Sequence, residues 1–449
     1  MMSKRFGKLN LISSVVAGVM LLAMTGNVNA QFSTINQIGG IEINPSGVLQ
    51  ETTATMQQGA RQRVLDSLAT VSPKARESTE YRAISLKALE KALMAAANGQ
   101  TELSDDIRFM GGIQRIKNVI VDEENNDVLL VGPGEGWTVD AAGNVVGETT
   151  GRPVLHFEDF IVALRTADAA NRDYGISVSI DPTPEGQRQF ANVSKQIRRN
   201  GGFQPEMKGM IETALGPQNI SFTGLPTDSR MAQVLAAADY RMKRMAMGFE
   251  PAAVAGIPSV LELARKRGKG FTQSPRFWLQ CKYDAITRSE DGMVWQIEGP
   301  GAKALTQADG KTKDHPISVK WAENMTENFG ELANADPVFG ALQNVLDMAV
   351  VAAILRKHDL LVSAGMEIPT ISGANGLVEL PKWSVPQKVS SQCSFVMIKN
   401  SWMVTASGGV QVDSWGVLED VAIDNAIANI ANRVAVTPSS NSVWWNSVN

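Results

Sequence analysis

Apolar residues recur at helical spacing at Met56, Ala60, Val64 and Leu68, and again at Tyr81, Ile84, Ala88, Leu89, Ala92 and Leu93 before Gly99. Each stripe fits one face of a helix, so two amphipathic helices divided at Pro73 are expected. From Ile113 the pattern changes to alternation. "IKNVIVD", "VLLVG", "WTVD" and "NVVG", separated by the polar stretches "EENND" and "AAG", predict a strand meander. A helix around Glu158 to Ala167 should follow.

The next stretch is the most regular in the chain. "GISVSID" and "NISFTG" alternate as strands. Between them, "PTPEGQRQFANVSKQIRRNG" and "PEMKGMIETALG" read as helices, and "DSRMAQVLAAADYRMKRMAMG" follows as a third. Strand, helices, strand, helix is the order expected of parallel strands joined by a right-handed crossover, so the fold class is α/β. Beyond Gly270, "RFWLQCKYDAI" and "MVWQIEG" flank "TRSEDG" as a hairpin. Helices from about Val319 to Ala333 and Pro337 to Lys357 come next, the second apolar enough to be buried. Strands near Cys393–Ile398, Trp402–Ala406 and Val410–Asp413 then precede a last helix bearing Ile423, Ile427, Ile430 and Val434. The expected organisation is a leader over residues 1–30, an N-terminal hairpin and helical region over 31–100, a central α/β domain over 107–270, a hairpin with helices over 271–360, and C-terminal hairpins, helix and tail over 361–449.

"GGIEINPSGVLQ" (Gly39–Gln50) returns near the other end as "GGVQVDSWGVLE" (Gly408–Glu419). Asn44 and Asp413 stand three residues before a shared glycine, where an Asx side chain bonds turn backbone and glycine takes positive φ. Turn chemistry accounts for part of the match. The leading glycine pairs and the amphipathic helix expected after both copies favour duplication of a hairpin-plus-helix unit, which could pack within one chain or between chains.

Lys4, Arg5 and Lys8, the apolar run Leu11–Met24 and the small residues Val28 and Ala30 form the pattern of a secretory signal peptide. The apolar run is short for a bilayer span, which takes about 20 residues, so an exported chain beginning at Gln31 with no membrane span is expected, in the periplasm, envelope or extracellular space. The net charge of −4 becomes more negative once those three basic residues leave. Nucleic acid is therefore an unsuitable partner; a protein partner or self-association is expected. An oxidising compartment would allow the two cysteines, Cys281 and Cys393, to pair. Two buried free thiols are the other reading. Trp444 and Trp445 are costly to leave exposed in a polar tail and should dock, on this chain or another.

The three histidines, His156, His315 and His358, have no shared helix face, no Cys-His cluster forms a metal site, and G-x-S-x-G is absent, so no metal or cofactor is expected. "GPGEGW" lacks the Lys-Ser/Thr of a phosphate loop and leads into a strand, so it reads as a glycine turn placing Trp137. Arg241, Lys243 and Arg244 read as a solvated basic face. The candidate site lies where "SIDPTPEG" and "TGLPTDSR" link strand ends to helix starts, the crevice in which open α/β sheets bind ligands. Asp181, Thr183, Glu185, Thr227, Asp228, Ser229 and Arg230 could converge there, with Asp181, Glu185, Asp228 and Arg230 as acid-base or ligand-holding groups. Thr183 and either Thr227 or Asp228 are equally suited to capping the helices that follow.

"GPGEGW", "TTGRPVLHFEDFIVALR", "SIDPTPEG", "ADYRMKRMAMGFEP", "RFWLQCKYDAI" and "DPVFGALQNVLDMAVVAAIL" together resemble the domain of unknown function 1598 type found in exported planctomycete-type proteins, over about Gly111 to Leu355. His156 departs from the residue types of that family. The resemblance implies export and one long α/β unit, and brings no activity, cofactor or catalytic residue with it. A non-enzymatic structural or interaction protein of the cell envelope is thus the expectation; the alternative is a periplasmic hydrolase or polar-ligand binder using the Asp181 and Asp228 crevice.

Overall fold

The computed structural model describes residues 37–99, 103–171, 175–200, 204–268, 275–306, 315–395, 406–434 and 445–448. The expected leader, Trp444 and most of the strands expected at Cys393–Ile398 and Trp402–Ala406 lie outside them. In chain order the strands are β1 (Gln37–Ile38), β2 (Ile41–Ile43), β3 (Val48–Glu51), β4 (Thr79–Ser85), β5 (Asn118–Asp122), β6 (Asp127–Gly134), β7 (Trp137–Val139), β8 (Val145–Gly147) and β9 (Ile176–Pro182). They continue with β10 (Gln218–Thr223), β11 (Arg276–Lys282), β12 (Ala285–Arg288), β13 (Val294–Glu298), β14 (Gly301–Thr306), β15 (Lys388–Val389), β16 (Ser407–Val412), β17 (Val421–Ile423) and β18 (Trp445–Val448). The fold is mixed α/β. One sheet runs β1-β2-β3-β15-β10-β9-β16-β11-β14, a second runs β17-β12-β13-β5-β6-β4-β18, and β7 pairs with β8.

Each of the four segments expected along the chain gives strands to both large sheets, and one apolar core extends from Ile38 to Trp445. Three stretches of chain pass from one sheet to the other without an intervening α-helix. "RFWLQCKYDAI" breaks at Tyr283 and Asp284 into β11 and β12, β13 becomes β14 across Gly299 and Pro300, and β16 leads through a 3-10 turn at Gly416–Leu418 to β17. Gly299 has φ of +106°, and a Cβ there would come within 2.6 Å of the Asp284 amide nitrogen, so the two connections can cross only with glycine.

The Pro337–Lys357 helix forms the centre. Asp336 caps it by accepting from the Val338 amide, Pro337 opens the first turn, and every residue from Val338 to Leu355 is buried. Length and composition would let it cross a membrane, yet it is covered on all sides by protein, which explains an apolar surface without a polar face. It packs on the Phe157–Ala170 and Arg230–Ala246 helices.

Four expectations change. Tyr81 and Ile84 belong to β4, and the helix starts only at Leu86; the stripe joined a strand to a helix because positions two and four apart satisfy both periods locally. β9 and β10 pair antiparallel rather than through a parallel crossover. The reason is the number of helical legs: the Pro184–Arg199 and Lys208–Leu215 helices pack on each other, carry the chain out and back, and return it to the end where β9 finished. Ile423 lies in β17, leaving a short helix, Asn429–Val434. Cys281 and Cys393 are both free and buried, in place of the possible bridge. Cys281 faces the main core from β11, whereas Cys393 sits in a satellite cluster with Ile197 and Ile211 under the helix pair.

Candidate functional site

Antiparallel pairing dismantles the expected crevice. Asp181 is opposite Asn219 and Ser177 is opposite Thr223, so the loops after β9 and β10 leave opposite ends of the strand pair, roughly 15–20 Å apart along the strands. Asp181 lies 4.0 Å from Arg276, both partly exposed, and its charge also acts on the buried Asp239 and Lys243. Thr183 is a helix cap, accepting from the Gly186 amide. Glu185 is exposed, and hydrogen bonds from Gln189 and Arg188 hold its carboxyl below the usual range. The second helix is capped by Ser229, which accepts from the Ala232 amide, rather than by Thr227 or Asp228. Asp228 presents its carbonyl to the Trp383 amide at 2.8 Å. Arg230 turns inward to Asp159.

What the fold does assemble is a set of buried charges around the Arg230–Ala246 helix, where a solvated basic face was expected. At the helix start, Arg230 pairs with Asp159, and the Trp383 indole donates to Glu158 at 2.8 Å. Burial raises both carboxyls, Glu158 to about 7, with Asp159 beside it adding repulsion. His156, edge-on to Phe109, is pushed well below its usual value by burial and then by Arg230, so it is neutral. One turn short of the helix end, Lys243 Nζ donates to Asp239 Oδ2 at 2.8 Å, Ile180 O at 2.7 Å and Gly408 O at 3.1 Å. The Ile180 amide in turn donates to Asp239 Oδ2 at 3.0 Å. Burial raises Asp239 to about 7 and lowers Lys243. Arg241 donates to Gly39 O at 2.7 Å and pairs with Glu250 at 3.2 Å; Arg244 pairs with Glu51 at 2.8 Å.

A fourth cluster sits where strands pass between the sheets. Arg115 grips Asp347 of the central helix with two bonds of 2.9 Å and donates to Gly299 O at 3.0 Å. Tyr283 donates to the same carboxylate at 2.7 Å. Removing one member would strand the other charge in the interior, a loss of about 3–5 kcal/mol for a buried pair. Sequence reasoning missed these groups. The available signal was the i,i+4 spacing of Asp239 and Lys243, which places Asp239 on the stripe of Leu235, Met242 and Ala246.

"GPGEGW" is strand for half its length rather than a glycine turn: Gly132–Gly134 end β6, and Glu135 and Gly136 link it to β7, which starts at Trp137. Gly132, Gly134 and Gly136 make room for the Arg115 backbone, the Arg82 side chain and the Arg76 backbone, and Trp137 is buried. Although burial opposes it, hydrogen bonds from Thr150, Thr149 and Gln114 hold Glu135 below its usual pKa, so the loop closes on a carboxylate of its own. His358 lies against Trp295 with 4.3 Å between ring centroids and the rings tilted by 42°. Among the described residues no group of three His, Cys, Asp or Glu is arranged to hold a metal. An open polar cleft lies elsewhere, on the outer face of the seven-stranded sheet. About 410 Å³ in volume, it is lined by Glu80, Tyr81, Lys117, Asn118, Gln296 and Glu298 and walled by Ile430.

These features define a mixed α/β protein whose strands are tied by buried ion pairs on one central and one flanking helix. Residues 178–260 match the family described as Protein of unknown function (DUF1598). That segment runs from β9 to the start of the Val260–Arg267 helix, lies inside the stretch where the resemblance was expected, and carries Arg230, Asp239, Arg241, Lys243 and Arg244. No curated protein and no solved structure matches the chain.

Proposed function

We propose that the protein is exported and acts as a non-enzymatic structural or interaction protein of the cell envelope. The observation that carries this reading is the use made of its acids and bases. Arg115, Asp347 and Tyr283, Asp239 and Lys243, and Arg230 and Asp159 bond to one another or to backbone, fastening strands to helices. Charges committed in this way serve the architecture. The leader pattern supports export.

Two variants test it. Asp181→Asn with Asp228→Asn should leave folding, and any association detected by light scattering, unchanged. A chain ending at Val434 should keep its secondary structure and lose association. If the first variant abolishes turnover of a cell-wall fragment by the wild-type protein, the reading is wrong. Export is tested separately: expression with the leader should yield a secreted chain whose first residue is Gln31.

A second reading, binding of a small polar ligand, is favoured by the cleft at Gln296 and Glu298, since amide and carboxylate groups along one wall suit hydroxyl-rich ligands. Calorimetry with neutral mono- and disaccharides checks it. Binding should vanish in Gln296→Ala with Glu298→Ala.

A further inference from the structure

The β4 edge of the seven-stranded sheet ends in a slot shaped for an indole. Between Thr79 and Arg82 the pairing of β4 with β6 shifts register, and this bulge turns Arg82 inward. Arg82 is fully buried and donates to Gly111 O at 2.6 Å, Glu135 O at 3.1 Å and Glu77 O at 2.6 Å, so its guanidinium is fixed by backbone. Gly111, at φ of +62°, leaves a bare backbone beside it; a Cβ there would sit 3.1 Å from the Trp445 ring. Trp445 fills the slot. Its ring lies 5.0 Å from the Arg82 guanidinium carbon and 5.5 Å from Lys74 Nζ, and its side chain hydrogen-bonds to Asp106. It is 4% exposed, and the backbone of Trp445–Val448 pairs antiparallel with β4, Trp445 opposite Ile84 and Val448 opposite Tyr81.

We propose that this edge is an acceptor site for an extended segment carrying a tryptophan, filled by Trp445–Val448 of the same chain and open to Trp445–Val448 of a second copy. The proposal rests on the interaction reading above and gives it a partner and a place. Without β18, β4 would present a row of unpaired backbone groups, the feature that invites strand addition. All slot residues, Lys74, Arg82, Asp106 and Gly111, come from elements far from the segment that fills them. The contacts made in cis and in trans are therefore the same, and only chain connectivity separates the two states. Val434 belongs to the apolar cluster that includes Ala83 and Val131 on the outer sheet face, and residues 435–444 lie between it and Trp445. Ten residues can reach about 33–36 Å when extended, so Trp445–Val448 can leave its own slot without any change in the rest of the fold. A tethered segment competes at an effective concentration of the order of millimolar, so the cis form prevails in dilute solution and exchange sets in at high local concentration.

The test uses the whole chain. Ala83 and Asn446 are opposite one another in register, so Ala83→Cys with Asn446→Cys places two thiols across the β4–β18 pair, while Cys281 and Cys393 are buried. Oxidation at micromolar protein should give monomers with an internal bridge. Near millimolar protein, covalent dimers and longer species should rise at least tenfold. Adding Trp445→Ala should lower both yields about tenfold. Bridges that stay internal at every concentration would overturn exchange between copies. Failure to bridge at all, in a protein with unchanged circular dichroism, would overturn the slot itself. A second measurement avoids the new cysteines: with a protease site placed in residues 435–444 and cut after folding, a labelled peptide of residues 442–449 should bind saturably, and its Trp445→Ala counterpart about tenfold more weakly. Equal binding of the two peptides counts against the slot. None of these outcomes bears on export, which the mature N-terminus decides.

Discussion

The two glycine-led dodecamers meet the same helix from different sides and in different shapes. In Gly39–Gln50 the glycine pair turns the chain between β1 and β2, with φ of +55° and +79°, and Asn44 and Gly47 close the β2–β3 hairpin. In Gly408–Glu419 the glycines lie inside β16, between β9 and β11, and Asp413 starts a 3-10 turn that leads to another sheet. Both copies offer the carbonyl of their first glycine to a cation of the Arg230–Ala246 helix, Gly39 to Arg241 and Gly408 to Lys243. The expected pair of hairpin-plus-helix units is thereby corrected. Glycine serves turn formation at positive φ in one place and close backbone approach within a strand in the other, with positive φ added at Gly408, and like residues at like spacing arise from those separate demands.

The largest effect should come from Gly408→Ala. A Cβ at this position would overlap the Phe277 carbonyl of the adjacent strand, which cannot move without giving up the β11–β16 register, and φ is +128°. A loss above about 4 kcal/mol, or no soluble protein, is expected. A denaturation midpoint within about 1 kcal/mol of wild type would show that β16 does not run between β9 and β11 as described.

Next in size is the contrast between the two cations. Lys243→Met leaves Asp239 buried beside apolar neighbours and should cost about 3–5 kcal/mol; Arg241→Met, at a partly exposed site, should cost roughly 1–2 kcal/mol. The pH dependence separates them further. Burial raises Asp239 to about 7, so its protonated form favours the fold: the stabilisation is complete below the unfolded carboxyl pKa of about 4 and is lost as pH rises through the folded value. Without Lys243 the carboxylate loses its counter-charge, and the denaturation midpoint of Lys243→Met should fall more steeply between pH 5 and 8 than that of wild type. Adding Asp239→Asn should flatten the profile. A parallel offset at every pH would mean that Asp239 does not titrate there.

Gly39→Ala should rank third, at about 2–3 kcal/mol, because it combines positive φ with overlap against the Val338 side chain at the start of the central helix. The Val338 side chain can shift where the Phe277 carbonyl cannot. Relief of the defect by Val338→Ala would identify side-chain crowding; an unchanged defect would assign it to the backbone.

This ranking follows the boundary of what was legible along the chain. Local demands could be read: alternation in β9 and β10, the Thr183 cap with Pro184 after it, and the burial of an unbroken apolar helix after Asp336, whereas β5 and β6 are buried on both faces. Partners could not be. Whether β10 lies parallel or antiparallel to β9 depends on how two intervening helices pack, and that decision sends Asp181 and Asp228 to opposite ends of the strands. Trp445 was legible as a residue that must dock, because exposed indole is costly, whereas its slot depends on a bulge in β4 and a bare Gly111 far away in sequence.

The smallest effect sharpens the comparison most locally. Asn44 Oδ1 accepts from the Ser46 amide at 2.9 Å and the Val48 amide at 3.1 Å in an exposed turn, so Asn44→Ala should cost about 1 kcal/mol. Asp413 Oδ1 accepts from the Gly416 amide at 2.9 Å, and Asp413→Ala should cost no more than about 1 kcal/mol. Similar totals hide different reach. The Asn44 turn joins two neighbours of one sheet, so faster amide exchange should be confined to β2 and β3. The Asp413 turn aims the chain from the nine-stranded to the seven-stranded sheet, so its loss should speed exchange in β16 and in β17 together. If both variants disturb only their own turn, the connection from β16 to β17 is held by its strands alone, and Asp413 caps a turn without setting its direction.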